Sequence, residues 1–196
     1  DDPSLRPLTF CFNGGPGSSS VWLHMGAFGP RRIDLPDTAV PPPPPYRIVD
    51  NEYGLLDQTD LVFIDPVGTG FSEADDREKA DTFFSVDGDL ESIAAFIRRY
   101  LNENHRWNSP RFLAGESYGT TRAAALAHRL HEDGIVLNGL ILVSLALNFQ
   151  TFVFEAGNDL PYVFYLPSYA ATAHYHQKLE TQPADLNEFL DEVRQF

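Results

Sequence analysis

The chain has 196 residues, 43% of them hydrophobic and 13% aromatic, which suits one globular unit with a substantial core. A formal net charge of −14 argues against nucleic acid and anionic membrane surfaces as partners, and no apolar run of ~18 residues is present to span a bilayer. The single cysteine, Cys11, excludes a disulfide within the chain, and the sequence opens at Asp1-Asp2-Pro3 without a signal-peptide pattern.

Leu8 to Phe12 reads as a short buried strand running into Asn13-Gly14-Gly15-Pro16-Gly17-Ser18-Ser19-Ser20. A glycine-rich loop after a strand can cradle phosphate, but Ser20 stands where the third glycine of G-x-G-x-x-G is required and no GK[ST] follows. The other use of such a loop is to turn backbone amides toward a developing negative charge. Ser18 to Met25 is expected to form a short helix closed by Gly26 and Gly29-Pro30. Asp34 to Tyr46, with Pro41 to Pro45 in a row, predicts an extended polyproline II surface segment that spaces a loop.

Asp60 to Asp65 predicts a second buried strand, ending in the turn Pro66 to Ser72. Ser85 or Asp87 then caps a helix reaching about Asn104, with Leu90, Ile93, Ala94, Ile97 and Leu101 on one face. Asp87 and Asp89 lie near its positive end and Arg98 and Arg99 nearer its negative end, as the helix dipole favours.

Arg111 to Ala114 predicts a strand, and Gly115-Glu116-Ser117-Tyr118-Gly119 is a G-x-S-x-G pattern followed by an alanine-rich helix. A strand-to-helix turn this tight strains its central residue and requires glycine on both sides, where a side chain would clash. It raises the Ser117 hydroxyl above the sheet edge, with the next amide and the helix N-terminus at hand for an oxyanion. The pattern alone is common; the strand before it, the helix after it and the small residues Ala123, Ala124, Ala125 and Ala127 make it a nucleophile elbow. Leu140 to Leu147 predicts another strand. Strands alternating with helices imply a mostly parallel sheet with helices on both faces, and all three unusual loops follow strand carboxyl ends, where active groups collect.

Beyond Asn148 the pattern changes. Phe149 to Tyr175 is aromatic and helical in places, interrupted by Pro161 and Pro167, and Pro183 to Phe196 predicts an amphipathic helix. The chain therefore divides into a core over 1–148 and the start of a helical cap over 149–196. His128 and His131 fall on the helix after the elbow, pointing away from the serine. His174 and His176 lie on different helical faces, which argues against a metal site.

The three motifs Asn13 to Ser20, Asp65 to Ser72 and Gly115 to Gly119, in this order and spacing, resemble the serine carboxypeptidase family of the α/β-hydrolase fold, in particular bacterial members without disulfides. The resemblance covers about Leu8 to Leu147. It implies a peptidase without cofactor or metal that removes C-terminal residues from peptides bearing a free carboxylate. Ser117 would be the acylated nucleophile, and the Gly15 and Tyr118 amides the oxyanion hole. Asn13, the Gly14 amide and Glu116 would bind the terminal carboxylate, Glu116 in protonated form, because two adjacent carboxylates cannot both be ionised cheaply.

Two positions depart from the family pattern. Ala27 stands where many relatives place a second carboxylate-binding glutamate, and Cys11 where a tryptophan is common. His24, Arg31 or Arg32 is expected to take over part of that role. In this fold the triad acid and histidine follow the serine after later strands, and neither is assigned within the chain. The sequence thus reads as the nucleophile-bearing part of a secreted or periplasmic hydrolase, inactive by itself, with Asp and His supplied by a second chain or a C-terminal half. An esterase or acyltransferase is the alternative within the fold, and an inactive binding module the alternative outside enzymes.

Overall fold

A computed structural model describes residues 2–36, 38 and 40–196, with the side chains of 77–79 excepted. The chain forms two compact units, Asp1–Leu147 and Asn148–Phe196.

The first unit is built on a parallel sheet of β1 (Leu8–Phe12), β4 (Asp60–Phe63), β5 (Arg111–Glu116) and β6 (Gly139–Val143), in the spatial order β4-β1-β5-β6. The alternation of these strands explains why both faces are buried. Leu8, Phe10, Phe12, Leu113 and Ile64 point to one side, where α2 (Val86–Glu103) and α3 (Tyr118–Glu132) cover them through Ile93, Ile97, Leu101, Ala123, Leu126 and Leu130. Cys11, Ala114, Leu61 and Phe63 point to the other side, against Leu23, Ala27 and Phe28. Each fully buried Leu or Phe contributes about 1.5–3 kcal/mol of transfer free energy, so this two-faced packing carries the stability of the unit. Cys11 has no exposed surface, and burial alone pushes its thiol up to about 12.

Strand order places the site. From β1 the chain crosses to β4 on one flank, then returns past β1 to β5 and continues to β6 on the other. Right-handed crossovers consequently put residues 21–59 on one face and α2 and α3 on the opposite one. The order reverses between β1 and β5, and the loops leaving these two strands separate there to open a crevice.

Several local expectations are corrected. The helix after the glycine loop runs over α1 (Val21–Leu23) and then widens into a π turn, His24–Phe28, closed by the Gly29 amide donating to the His24 carbonyl at 3.1 Å. Gly26 lies inside that turn and does not close it. Two three-residue strands, β2 (Arg31–Ile33) and β3 (Ile48–Asp50), pair antiparallel around the proline segment. They are too short to show a periodicity. The proline segment is exposed but bends over 43–45, where Pro44-Pro45 is cis, instead of running straight; Asp37 and Ala39 within it lie outside the described residues. β6 stops at Val143 rather than Leu147, because Ser144 adopts φ +54° and leaves the strand. Ser85 is the cap of α2, its hydroxyl accepting from the Gly88 amide at 3.1 Å.

At the N-terminal ends of the strands, Asp60 accepts from Arg6 at 2.6 Å and from Arg106 at 2.7 Å. Arg106 also donates to the Ser109 hydroxyl and the Arg6 carbonyl, so one buried guanidinium fastens the edge opposite the site.

The second unit holds a short 3-10 turn (Phe149–Phe152), α4 (Leu160–Tyr175) and α5 (Leu186–Gln195). Pro161 lies in the first turn of α4, where its missing amide costs nothing, and Pro167 is accommodated inside it, so neither proline interrupts the helix. Asp185 caps α5, its carboxylate accepting from the Asn187 and Glu188 amides.

Candidate active site

Ser117 is the hinge between β5 and α3. Its backbone sits at φ 57°, ψ −125°, a conformation that costs a non-glycine residue of order 1–3 kcal/mol and that persists where the surroundings over-determine it. They do so here. The Ser117 amide donates to the Val143 carbonyl at 2.9 Å, and its carbonyl accepts from the Thr120 amide and hydroxyl at 2.9 and 2.7 Å. Gly115 and Gly119 face each other across the turn, and a Cβ on Gly115 would strike the Gly119 backbone. A Cβ on Gly119 would come within 2.8 Å of the Phe12 carbonyl oxygen. Both flanking glycines are therefore required by close backbone approach, as the turn chemistry predicts.

The glycine loop leaving β1 lies directly against this elbow. A Cβ on Gly14 would lie 2.7 Å from both the Glu116 carbonyl oxygen and the Gly119 nitrogen. Gly15, at φ +105°, adopts a conformation that favours glycine and follows Gly14 onto the rim of the cleft. The Gly14 carbonyl accepts from the Ser18 amide at 3.1 Å, which folds the loop back on itself.

Asn13 joins the two loops through its side chain. It is fully buried, its Nδ2 donates to Glu116 Oε2 at 3.0 Å, and its Oδ1 accepts from the Leu23 amide at 3.1 Å. Two of the residues expected to bind a carboxylate are thus in direct contact. An open cleft of about 510 Å³ contains Asn13, Gly15, Glu116 and Ser117, and Ser18, Trp22, Leu23, Gly26, Ala27, Val143 and Ser144 complete its lining. The structure brings Asn13, Gly14, Gly15, Glu116, Ser117 and Tyr118 together at the crevice between β1 and β5.

His24, Arg31 and Arg32 do not join them. His24 stacks on Phe63 with ring centroids 4.4 Å apart, Arg31 faces Asp50 at 3.6 Å, and Arg32 donates to Glu52 at 3.2 Å. None of the three lines the cleft, because the π turn and the β2–β3 hairpin carry them away from it. Among the described residues no histidine lines the cleft, and His128 and His131 are exposed on α3.

Three side chains support the site through contacts that the sequence does not indicate. Asp65, just past β4, accepts from the Ser20 amide at 2.8 Å, the Ser20 hydroxyl at 2.7 Å and the Phe71 amide at 3.2 Å. Burial works to raise its carboxyl pKa, but these hydrogen bonds, with His24 nearby, outweigh it and hold the group below its ordinary value. Asp65 therefore anchors the far end of the glycine loop as an ionised carboxylate. Buried Arg122 on α3 and half-buried Asp89 on α2 form an ion pair, Nε to Oδ2 at 2.6 Å. The available signal was an arginine in register with the core stripe Gly119, Ala123, Leu126 and Leu130 of an otherwise apolar helix face.

A parallel sheet with a strained serine at its switch point, beside a backbone-amide loop, defines the hydrolase class of α/β proteins. The family model described as serine carboxypeptidase matches residues 1–183, and the chain belongs to that family. Serine carboxypeptidase-like 33 of Arabidopsis thaliana is 29% identical over 137 residues, which cover 67% of this chain and 26% of that protein. Serine carboxypeptidase-like 49 of the same plant is 28% identical over 183 residues, covering 89% of this chain and 32% of that protein. Among solved structures, Kex1Δp, a prohormone-processing carboxypeptidase from Saccharomyces cerevisiae, aligns over 96% of this chain and 44% of its own, with a TM-score of 0.56 at 19% identity. The likeness to that structure is one of fold. The chain spans about a quarter to a third of the curated relatives it matches.

Proposed function

We propose that this chain carries the nucleophile and the oxyanion and carboxylate sites of a serine carboxypeptidase acting on peptides with a free C-terminal carboxylate. The contact between Asn13 Nδ2 and Glu116 Oε2 beside Ser117 carries the reading: it sets a donor and a protonatable acceptor one residue from the nucleophile. In the reaction the Ser117 Oγ bonds to the scissile carbonyl carbon as its proton passes to a histidine, and the Gly15 and Tyr118 amides take up the charge on oxygen. The C–N bond then breaks, the proton leaves with the departing amino acid, and water hydrolyses the acyl-enzyme. The histidine and its acid partner come from a second chain or a C-terminal half. Without them the residual effect of an oxyanion hole is only ~10³–10⁴ over water, so the isolated chain is slow or silent. Export to the periplasm or outside the cell, and likeness to disulfide-free bacterial members, belong to the same proposal.

One observation favours a second reading. Ala27 lines the cleft where the family pattern often has a glutamate, which leaves the carboxylate site with one acid, as an esterase or acyltransferase would tolerate. N-blocked dipeptides as free acid, C-terminal amide and ethyl ester, assayed over about pH 4 to 8 with the complementing polypeptide present, separate the two. Release from the acid alone, abolished in Ser117→Ala, is the expected result. Equal turnover of acid and amide, or a faster ester, selects the esterase. Silence on all three, with Ser117 unlabelled by a fluorophosphonate, refutes enzymatic function.

A further inference from the structure

Arg122 is 3% exposed, and burying a guanidinium is costly unless its donors are paired. Its Nε donates to Asp89 Oδ2 at 2.6 Å, and its guanidinium carbon lies over the rings of Tyr118 and Phe12, 5.3 and 5.6 Å from their centroids. The remaining partner is the informative one. Nη1 donates at 2.7 Å to the backbone carbonyl of Asn13, the first residue of the glycine loop.

The Asn13-Gly14 peptide is not among the cis bonds, and a trans peptide is a rigid plane with its C=O and N–H pointing in opposite directions. Fastening the Asn13 carbonyl to Arg122 therefore aims the Gly14 N–H the other way. Glycine at 14 offers little resistance to a peptide flip by itself, since it populates both signs of φ. The Asn13 side chain is held separately by Leu23 and Glu116, so it does not supply this anchor.

We propose that Arg122, braced by Asp89, is a positioning residue that locks the Asn13-Gly14 peptide so that the Gly14 amide serves the substrate's terminal carboxylate. It sets the preference for a free acid over an amide. The proposal rests on the carboxypeptidase reading above.

The test titrates the chain with an N-blocked dipeptide as free acid and as amide, by calorimetry and by the Gly14 and Gly15 amide signals in nitrogen-15 NMR. Arg122→Met alone strands the Asp89 carboxylate and risks unfolding, so the informative variant is Arg122→Met with Asp89→Leu, which removes both charges and keeps the volume packed. The double variant is expected to melt near the wild type, bind the amide unchanged, and lose about tenfold or more of its affinity for the acid. Its Gly14 signal should no longer move when acid is added. Arg122→Lys, which keeps the charge but not the fork, should fall between. An unchanged acid-to-amide ratio in a folded double variant overturns the proposal, as does equal weakening of both ligands, the mark of a merely structural arginine. A wild type that does not distinguish acid from amide overturns the carboxypeptidase reading and this proposal with it, a result visible before any variant is made.

Discussion

Gly14→Ala tests the close approach of the glycine loop to the elbow. The added Cβ would lie 2.7 Å from the Glu116 carbonyl oxygen and 2.7 Å from the Gly119 nitrogen, and nearer still to the Tyr118 nitrogen. Ordinary contacts of carbon with such atoms are about 3.5 Å, so the loop must retreat by about 1 Å, the Tyr118 nitrogen setting the demand. All three obstacles are backbone, which cannot turn aside as a flexible side chain would. Overpacking of this kind costs about 1–3 kcal/mol. At ~2 kcal/mol the unfolding equilibrium moves roughly 30-fold, and a unit of this size melts about 4–8 °C lower. Gly26→Ala is the control, because a Cβ there meets nothing within 4 Å and alanine suits a helical turn. Urea and thermal unfolding of both variants beside the wild type give the comparison. Gly14→Ala unfolding together with Gly26→Ala would refute the packing argument, and with it the placement of the Gly14 and Gly15 amides against Ser117.

Two further outcomes follow from the same geometry. Ser117→Gly relieves the positive-φ strain and should raise stability by about 1 kcal/mol in urea unfolding while removing the nucleophile; a loss of stability would mean that the serine is not strained. Asp65→Asn addresses pH. The folded carboxyl lies below its unfolded value of ~3.9, so its contribution is fully present above that pH and disappears as pH falls through the folded value. The stability gap between wild type and Asp65→Asn should be widest near neutrality and close below about pH 4, whereas parallel urea midpoints from pH 7 to 3 would exclude an ionised, hydrogen-bonded Asp65.

The parts legible in the sequence were those governed by local rules. β1 spans the expected Leu8–Phe12, and α2 follows the predicted apolar stripe, because residues buried on both faces of a strand or along one helix face leave a periodic trace. The elbow was legible because its glycines answer a steric demand within five residues. β2 and β3 were missed since three residues carry no period. The π turn hid because its hydrogen bonds depend on how Gly29 closes onto His24, and Pro167 looked like a break although the helix absorbs it.

Sequence alone determined the parallel α/β class, the strained serine and the family likeness, since each follows from residue type at close spacing. Only the tertiary structure decided which side chains meet. Asn13 reaches Glu116 across 103 positions, and Arg122 reaches back 109 to the Asn13 carbonyl, because the strand order sets β1 beside β5. The π turn and the separate β2–β3 hairpin carry His24, Arg31 and Arg32 out of the cleft. Contacts of this range depend on how the sheet is assembled, and no local spacing records them.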